Sequence, residues 1–416
     1  MTAGLDERLS APGQPVPPAK RTVQWSRENL FGSWSDTLLT LVFGALIIWV
    51  TVSLARFVLD ADFTIVRRNL TTFMVGRFPR DELWRPWLAT GLIGVMIGVV
   101  IGSATATARD KAIEAGLPYR ESTMRDALRR FWPLLALIGV ALAFTRTFLP
   151  FVLTIVVFAV SALARSAGLH FPAGVRRRIW VIALALLLGA YLALSAFGGR
   201  GWDEWGGLHL NLFLTVAGIL LAFPIGILFA LGRRSSLPAL RWVSVTYIEF
   251  VRGVPLITLL LFGAFALGFV LPADLRPGVI TRMLVAITLF EAAYVAEVVR
   301  GGLQSVHPGQ VEAGQALGLS PWRVTRRIVL PQALRNTIPA MVGQFISLWK
   351  DTTLVAVLGI LDLLEASRVV NTQPDFLGQG LFAITLGFAG LVFWVVSYTM
   401  SREARRLERK LGVGER

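Results

Sequence analysis

Arg300-Gly-Gly-Leu-Gln-Ser-Val-His-Pro-Gly-Gln-Val-Glu-Ala-Gly-Gln-Ala-Leu-Gly-Leu-Ser-Pro-Trp-Arg-Val-Thr-Arg-Arg-Ile-Val-Leu-Pro-Gln-Ala-Leu-Arg335 separates two apolar runs, 279–299 and 336–357. Residue chemistry divides it into two short helices. Pro308 suits a first helical turn, where its missing N–H is not needed. Gly318 suits the left-handed position that ends the first helix. Ser320 is expected to cap the second helix through its hydroxyl, with Pro321 at its first position. Pro331 and Pro339 limit how far the chain can run straight into the following run. The first helix offers Val311, Ala313, Ala316 and Leu317 beside Gln310, Glu312 and Gln315; the second sets Arg323, Arg326 and Arg327 among Val324, Ile328 and Val329. Two linked amphipathic helices make either a docking surface or an elbow lying at lipid headgroups.

Working outward, similar apolar runs recur along the chain. A membrane helix needs roughly 20 mostly apolar residues, because lipid cannot satisfy an exposed backbone. Ten windows fit or nearly fit: 37–59, 87–108, 131–146, 150–164, 179–198, 209–232, 254–271, 279–299, 336–357 and 378–400. The fold class expected is therefore an all-α polytopic membrane protein with about ten transmembrane helices. Only 16% of the 416 residues are charged and 55% are hydrophobic, against about 25% charged in an ordinary soluble chain. The absence of cysteine removes disulfides, thiolate metal sites, Fe–S clusters and cysteine nucleophiles together. His170, His209 and His307 are too scattered for a histidine metal cage.

The net charge of +15 is almost entirely arginine lying between the apolar runs. That makes it a topology signal, with membrane lipid rather than nucleic acid as the surrounding polyanion. With a cytoplasmic N-terminus and ten spans, the inner segments hold 29 Arg/Lys and the outer ones 10, five of the latter in the 60–86 loop. This agrees with the positive-inside rule. Residues 131–164 can be one long helix or a hairpin turning at Arg146 to Pro150. The hairpin is favoured, since a single helix would put Arg176, Arg177 and Arg178 outside.

Residues 1–36 read as a polar cytoplasmic tail with no signal peptide, and 401–416 as a basic cytoplasmic tail. The first span would serve as the insertion signal. A Gly/Trp-rich joint at 198–207 marks a change of character. Residues 37–200 hold apolar spans with few polar groups, whereas 205–400 hold motif-rich loops and charges inside spans.

Glu312-Ala313-Gly314, three residues, Gly318, nine residues, Ile328, one residue and Leu330-Pro331 resemble the EAA motif of ABC importer membrane subunits. Gly314 departs from the usual second alanine, and glycine costs a helix about 1 kcal/mol relative to alanine. Tyr247 to Leu256, Ala293 to Gly302 and Lys350-Asp351-Thr352-Thr353-Leu354 resemble the polar amino-acid branch of that family. The chain as a whole is most similar to the long permease subunit of general L-amino-acid importers. The resemblance implies a five-helix type I permease core over 205–400, with coupling helices near 308–334 seated on an ABC ATPase dimer. It also implies a second permease subunit forming a heterodimer, a periplasmic amino-acid-binding protein, and a multi-pass location in the bacterial inner membrane.

No lysine stands in a phosphate-cradling G-x-x-x-x-G-K-[ST] loop. No cofactor is expected on this chain, then, and ATP and magnesium belong to the partner ATPase. A charge at mid-membrane costs about 2.5–3.5 kcal/mol, so it faces a partner or a cavity. Glu291, Lys350 and Asp351 are such charges, and Gln344, Ser347 and Asp351 share one helical face. Glu291 and the 344–353 face, Thr352 included, form the candidate substrate cavity, the alternative being a structural Glu291–Lys350 ion pair. Glu297 with Arg300, and Glu249 with Arg252, are expected as local helix pairs. The outer segment 358–377 can lie flat on the membrane and touch the binding protein, or form a capped interfacial helix with no partner, which is the reading preferred. The rival function is an ion-coupled secondary amino-acid transporter, which predicts inverted repeats that the sequence lacks. A membrane enzyme has no converging nucleophile and base to work with.

Overall fold

The computed structural model describes residues 25–27, 29–116, 118–119, 124–145, 148–195, 205–266, 272 and 277–411. Most of the 1–36 tail, the turn at Arg146, the joint at 198–204, the end of the 254–271 run and the last five residues lie outside the described residues. Two units divide the chain, Met1–Asp62 and Phe63–Arg416. The first contains helix α1 (Trp34–Asp60), whose N-cap Ser33 accepts from the Asp36 amide at 3.1 Å. The run of apolar residues that follows is long enough to cross a membrane.

The second unit begins with the amphipathic helix α2 (Thr64–Val75) and the long α3 (Trp84–Glu114). Then come α4 (Met124–Arg130), α5 (Trp132–Ala143), α6 (Leu149–Leu169), α7 (Ala173–Arg177) and α8 (Ile179–Ser195). Residues 131–164 thus form two helices separated at 144–148. They pack on different partners, α6 on α3 and α5 on the last helix of the chain. The α3–α6 seam is close. A Cβ at Gly98 would lie 2.3 Å from the Ser161 carbonyl oxygen, and one at Gly102 would lie 2.2 Å from that of Arg165. Small residues allow backbones to approach in this way where lipid supplies no hydrophobic drive between helices.

The C-terminal half continues with α9 (Gly207–Arg233), α10 (Pro238–Gly253), α11 (Leu256–Leu261), α12 (Val279–Gln304), α13 (Pro308–Ala316) and α14 (Pro321–Val324). After them come α15 (Leu330–Asp351), α16 (Leu363–Val369) and α17 (Phe382–Leu411). α12 is the central helix, packed against α9, α10, α11 and α15. Among the described residues the regular structure is helical, with two isolated bridges, Gly76 to Trp205 and Gly207 to Asp362.

Six helices are individually long and apolar enough to cross a membrane: α1, α3, α6, α9, α12 and α17. The remaining expected spans differ from simple rods. α5 and α8 have 12 and 17 residues, about 18 and 26 Å at 1.5 Å per residue. The described part of the 254–271 run is helical from Leu256 to Ala266, and α10 meets it at 105°. The cause is Pro255, which forces Val254 into an extended conformation. α15 carries Arg335, Lys350 and Asp351, and it continues past Asp351 as a 3-10 turn through Leu358.

The segment 358–377 contains a capped helix, α16, which packs into the protein with Leu363, Ala366 and Ser367 buried. Asp362 caps it by accepting from the Glu365 amide at 2.8 Å. α2 packs against it and against α9 and α17.

Candidate functional site: the elbow and the buried carboxylate

The elbow is built as its residues dictate. His307 sits at the N-cap of α13, its Nδ1 accepting from Gly309 N at 3.1 Å, and Pro308 opens the helix. Gly318 ends it at φ +71°, where a side chain would cost about 1–2 kcal/mol. Leu317 N to Ala313 O and Leu319 N to Gly314 O close the turn, each at 3.1 Å. Ser320 occupies the N-cap of α14 with extended backbone, but its hydroxyl makes no capping bond, contrary to expectation. Nor does the second helix stop at the prolines. Thr325–Val329 forms a π turn that carries the chain into α15, with Pro331 in the first turn.

Gly314 is the one buried residue of α13. A Cβ there would stand 3.0 Å from both Ile328 Cδ1 and Val324 Cγ2. Glycine in place of the motif's alanine is therefore matched by close packing against the second helix. Ile328 is half-buried there, with Leu330 half-buried beside it and Pro331 exposed. Glu312 and Ala313 face outward with Gln315 and Ala316. Leu317 is 80% exposed and Trp322 62% exposed, which leaves apolar surface on the outer side of the elbow.

The elbow is held firmly between two spans. A Cβ at Gly302 of α12 would meet Thr337 Cγ2 at 2.2 Å and Ala333 O at 2.6 Å, both on α15. Asn336 donates to Ser305 Oγ at 2.9 Å, and Gln332 donates to Gln310 Oε1 at 3.3 Å. Val324 and Val329 join the buried cluster of Ala230, Ile248, Val299 and Leu303.

These same two helices carry the buried carboxylate. Glu291 on α12 is 1% exposed, and its Oε2 accepts from Gln344 Nε2 of α15 at 3.2 Å. Its Oε1 and the Thr288 hydroxyl, one turn away, are buried with no hydrogen-bond partner. The anticipated Glu291–Lys350 ion pair is not among the ion pairs of the described residues. Lys350 points to the exposed side of α15 beside Ser347, and Asp351 is half-buried. Thr352 belongs elsewhere. It is buried, donates to Trp349 O at 2.8 Å and accepts from Asn211 Nδ2 at 3.0 Å. Of the six cavity residues expected, the structure joins only Glu291 and Gln344 directly.

A charged cluster sits just above the elbow. Glu297 pairs with Arg300 as expected, but also with Arg233 at 3.4 Å and Arg252 at 3.8 Å. Glu249 pairs across to Arg233 of α9 at 2.8 Å rather than with Arg252 along its own helix. Arg252 instead lies over the Tyr294 ring, 5.5 Å from its centroid. The network ties α9, α10 and α12 together at one level. Sequence spacing gave only its local pair.

A bundle of helices, six of them long and apolar enough to cross a membrane, with an elbow clasped between α12 and α15, is the architecture of a multi-pass membrane protein. The chain belongs to the binding-protein-dependent transport system inner membrane component family, whose model matches residues 222–412. It is 32% identical over 98% of both chains to the inner membrane amino-acid ABC transporter permease protein YhdY of Escherichia coli. It is 34% identical to the glutamate/glutamine/aspartate/asparagine transport system permease protein BztC of Rhodobacter capsulatus, over 94% of this chain and 93% of that one. A shorter relative, the probable glutamine ABC transporter permease protein GlnP of Bacillus subtilis, is 35% identical over 49% of this chain and 91% of its own. A solved amino acid ABC transporter with histidines matches 49% of this chain and 92% of its own at 29% identity, with a TM-score of 0.44. The chain is thus an inner-membrane ABC importer permease, and the ion-coupled alternative finds no support among these relatives.

Proposed function

We propose that this chain is the membrane path for polar or general L-amino acids. A periplasmic amino-acid-binding protein would deliver them, and a separate ATPase dimer carrying ATP and magnesium would drive their passage. A second, different permease chain would complete the path. The relatives' amino-acid names support the substrate class. The observation that carries the coupling is that α12 and α15 clasp the elbow at one end and hold Glu291 against Gln344 further along. Displacement of α13 by a partner would be transmitted along both helices to that contact. Glu312, Ala313, Gly314, Gly318, Ile328, Leu330 and Pro331 are assigned to ATPase coupling. Glu291 with Gln344 is assigned to the substrate path, its free Oε1 being suited to an ammonium group. Ser347, Lys350 and Asp351 are assigned to the wall further along α15, with Thr352 supporting the outer end.

Glu312→Arg combined with Gly318→Glu tests the coupling. Retention of the ATPase on the purified membrane complex and uptake in whole cells are measured together. Loss of both supports the assignment; retention of both defeats it.

A further inference from the structure

α2 lies outside residues 222–412, the part of the chain that the family model matches. Yet it is firmly built into the second unit. Ile65, Val66, Asn69, Leu70, Phe73 and Val75 are all buried. Gln373 donates to Asn69 Oδ1 at 2.7 Å, and Phe73 meets Phe388 edge-on at 5.1 Å. The chain after α2 is welded on as well, Gly206 N donating to Val75 O at 3.1 Å.

With its apolar face consumed by protein, α2 presents a basic outer face. Arg67, Arg68, Arg77 and Arg80 are all exposed. Arg68 is engaged by Asp375 at 3.2 Å and Arg80 by Thr72 Oγ1 at 3.2 Å, while Asp81 is the acid next to Arg80. Arg67 and Arg77 are left as the outward charges. Arginines on the outer side run against the positive-inside bias. Half of this chain's outer basic residues are nonetheless concentrated in the 60–86 loop. An amphipathic helix that binds lipid needs its apolar face for the membrane. Here that face is spent on α9, α16 and α17, so a protein partner fits better than a lipid surface.

We infer that α2 and the loop after it form a docking platform for the periplasmic binding protein, with Arg67 and Arg77 meeting an acidic face of that partner. The inference rests on the importer function proposed above. Charges at the rim of such a contact mainly steer association and give it salt dependence.

The test uses the whole complex, with its ATPase and second permease chain, in nanodiscs of zwitterionic lipid and again with one-third anionic lipid. Binding of the amino-acid-loaded binding protein is titrated for wild type, for Arg67→Glu with Arg77→Glu, and for the milder Arg67→Gln with Arg77→Gln. ATPase rate without binding protein reports that each complex is assembled. The expected result is at least a tenfold weaker dissociation constant for the Glu pair, a smaller loss for the Gln pair, and flatter salt dependence in both, in either lipid. Unchanged binding by an assembled Glu variant overturns the inference, as does a loss seen only with anionic lipid, which would make the platform a headgroup contact. A wild-type complex that binds no such protein defeats the importer reading itself, a distinct failure.

Discussion

Asn211 Nδ2 donates to Asp362 Oδ2 at 3.1 Å, joining the first turn of α9 to the residue that caps α16, 151 positions later in the chain. The same amide donates to Thr352, and its Oδ1 accepts from Leu363 N at 3.0 Å. Both Asn211 and Asp362 are fully buried. Three elements at the outer end of the core are held by one side chain whose donors and acceptor are all used. Full satisfaction is what makes a buried polar group tolerable.

Replacing Asn211 with Leu should therefore cost more than its apolar gain. Leu363 N would lose its acceptor, and Asp362 and Thr352 would each lose a donor. A buried polar group left unmade costs about 1–3 kcal/mol. A clear fall in the thermal unfolding midpoint of the purified protein is expected, and an unchanged midpoint would show that the node is not structural.

Asp362 gives the outer end a pH dependence. Burial pushes its carboxyl up to about 6 from the usual 3.8. The folded state then binds its proton more tightly than the unfolded state, so the contribution is fully present below about 3.8. It is lost as pH rises through 6. Thermal midpoints measured from pH 4.5 to 7.5 should decline across that window, and Asp362→Asn should remove this part of the slope. Parallel curves for the two proteins would exclude Asp362 as the source.

The α3–α6 seam should be intolerant of even one added methyl group. Gly98→Ala would drive a Cβ into the Ser161 carbonyl, whereas Gly91→Ala meets nothing within 4 Å. Overpacking costs about 1–3 kcal/mol, and Gly91→Ala should be near neutral or mildly stabilising. Equal midpoints for the two variants would contradict the close approach.

Glu291→Gln keeps the shape and the Gln344 neighbour but removes the charge. Hydrogen bonds to charged groups contribute about 1.5–3 kcal/mol, so uptake affinity for cationic amino acids should weaken about tenfold or more relative to neutral ones. Unchanged affinity and selectivity across both classes would take Glu291 out of the substrate path.

Much of the elbow was legible in the residues. Pro308 and Gly318 act within one turn of chain, and local geometry alone settles what they do. Ser320 shows the limit of that logic: its position was right, but its hydroxyl was not recruited once the second helix ran through a π turn into α15. The Glu297 pair with Arg300 was legible for the same local reason. Arg233 and Arg252 come to that carboxylate from other helices, at separations that no spacing rule reaches. In the candidate cavity, helical periodicity put Gln344, Ser347 and Asp351 on one face, but not which of them meets α12. Asn211 carried no signal, being one asparagine at the start of an apolar run.

Composition and hydropathy determined the class, since backbone satisfaction in lipid leaves an apolar chain with regular arginine breaks few architectures other than a helical bundle. The motif spacing determined where the elbow would be. Tertiary packing decided the rest: that Glu291 meets Gln344 and not Lys350, that α16 packs against α2, and that the chain turns through 105° at Pro255. Those outcomes depend on which helix faces meet, and each apolar run is too uniform on its own to specify a face.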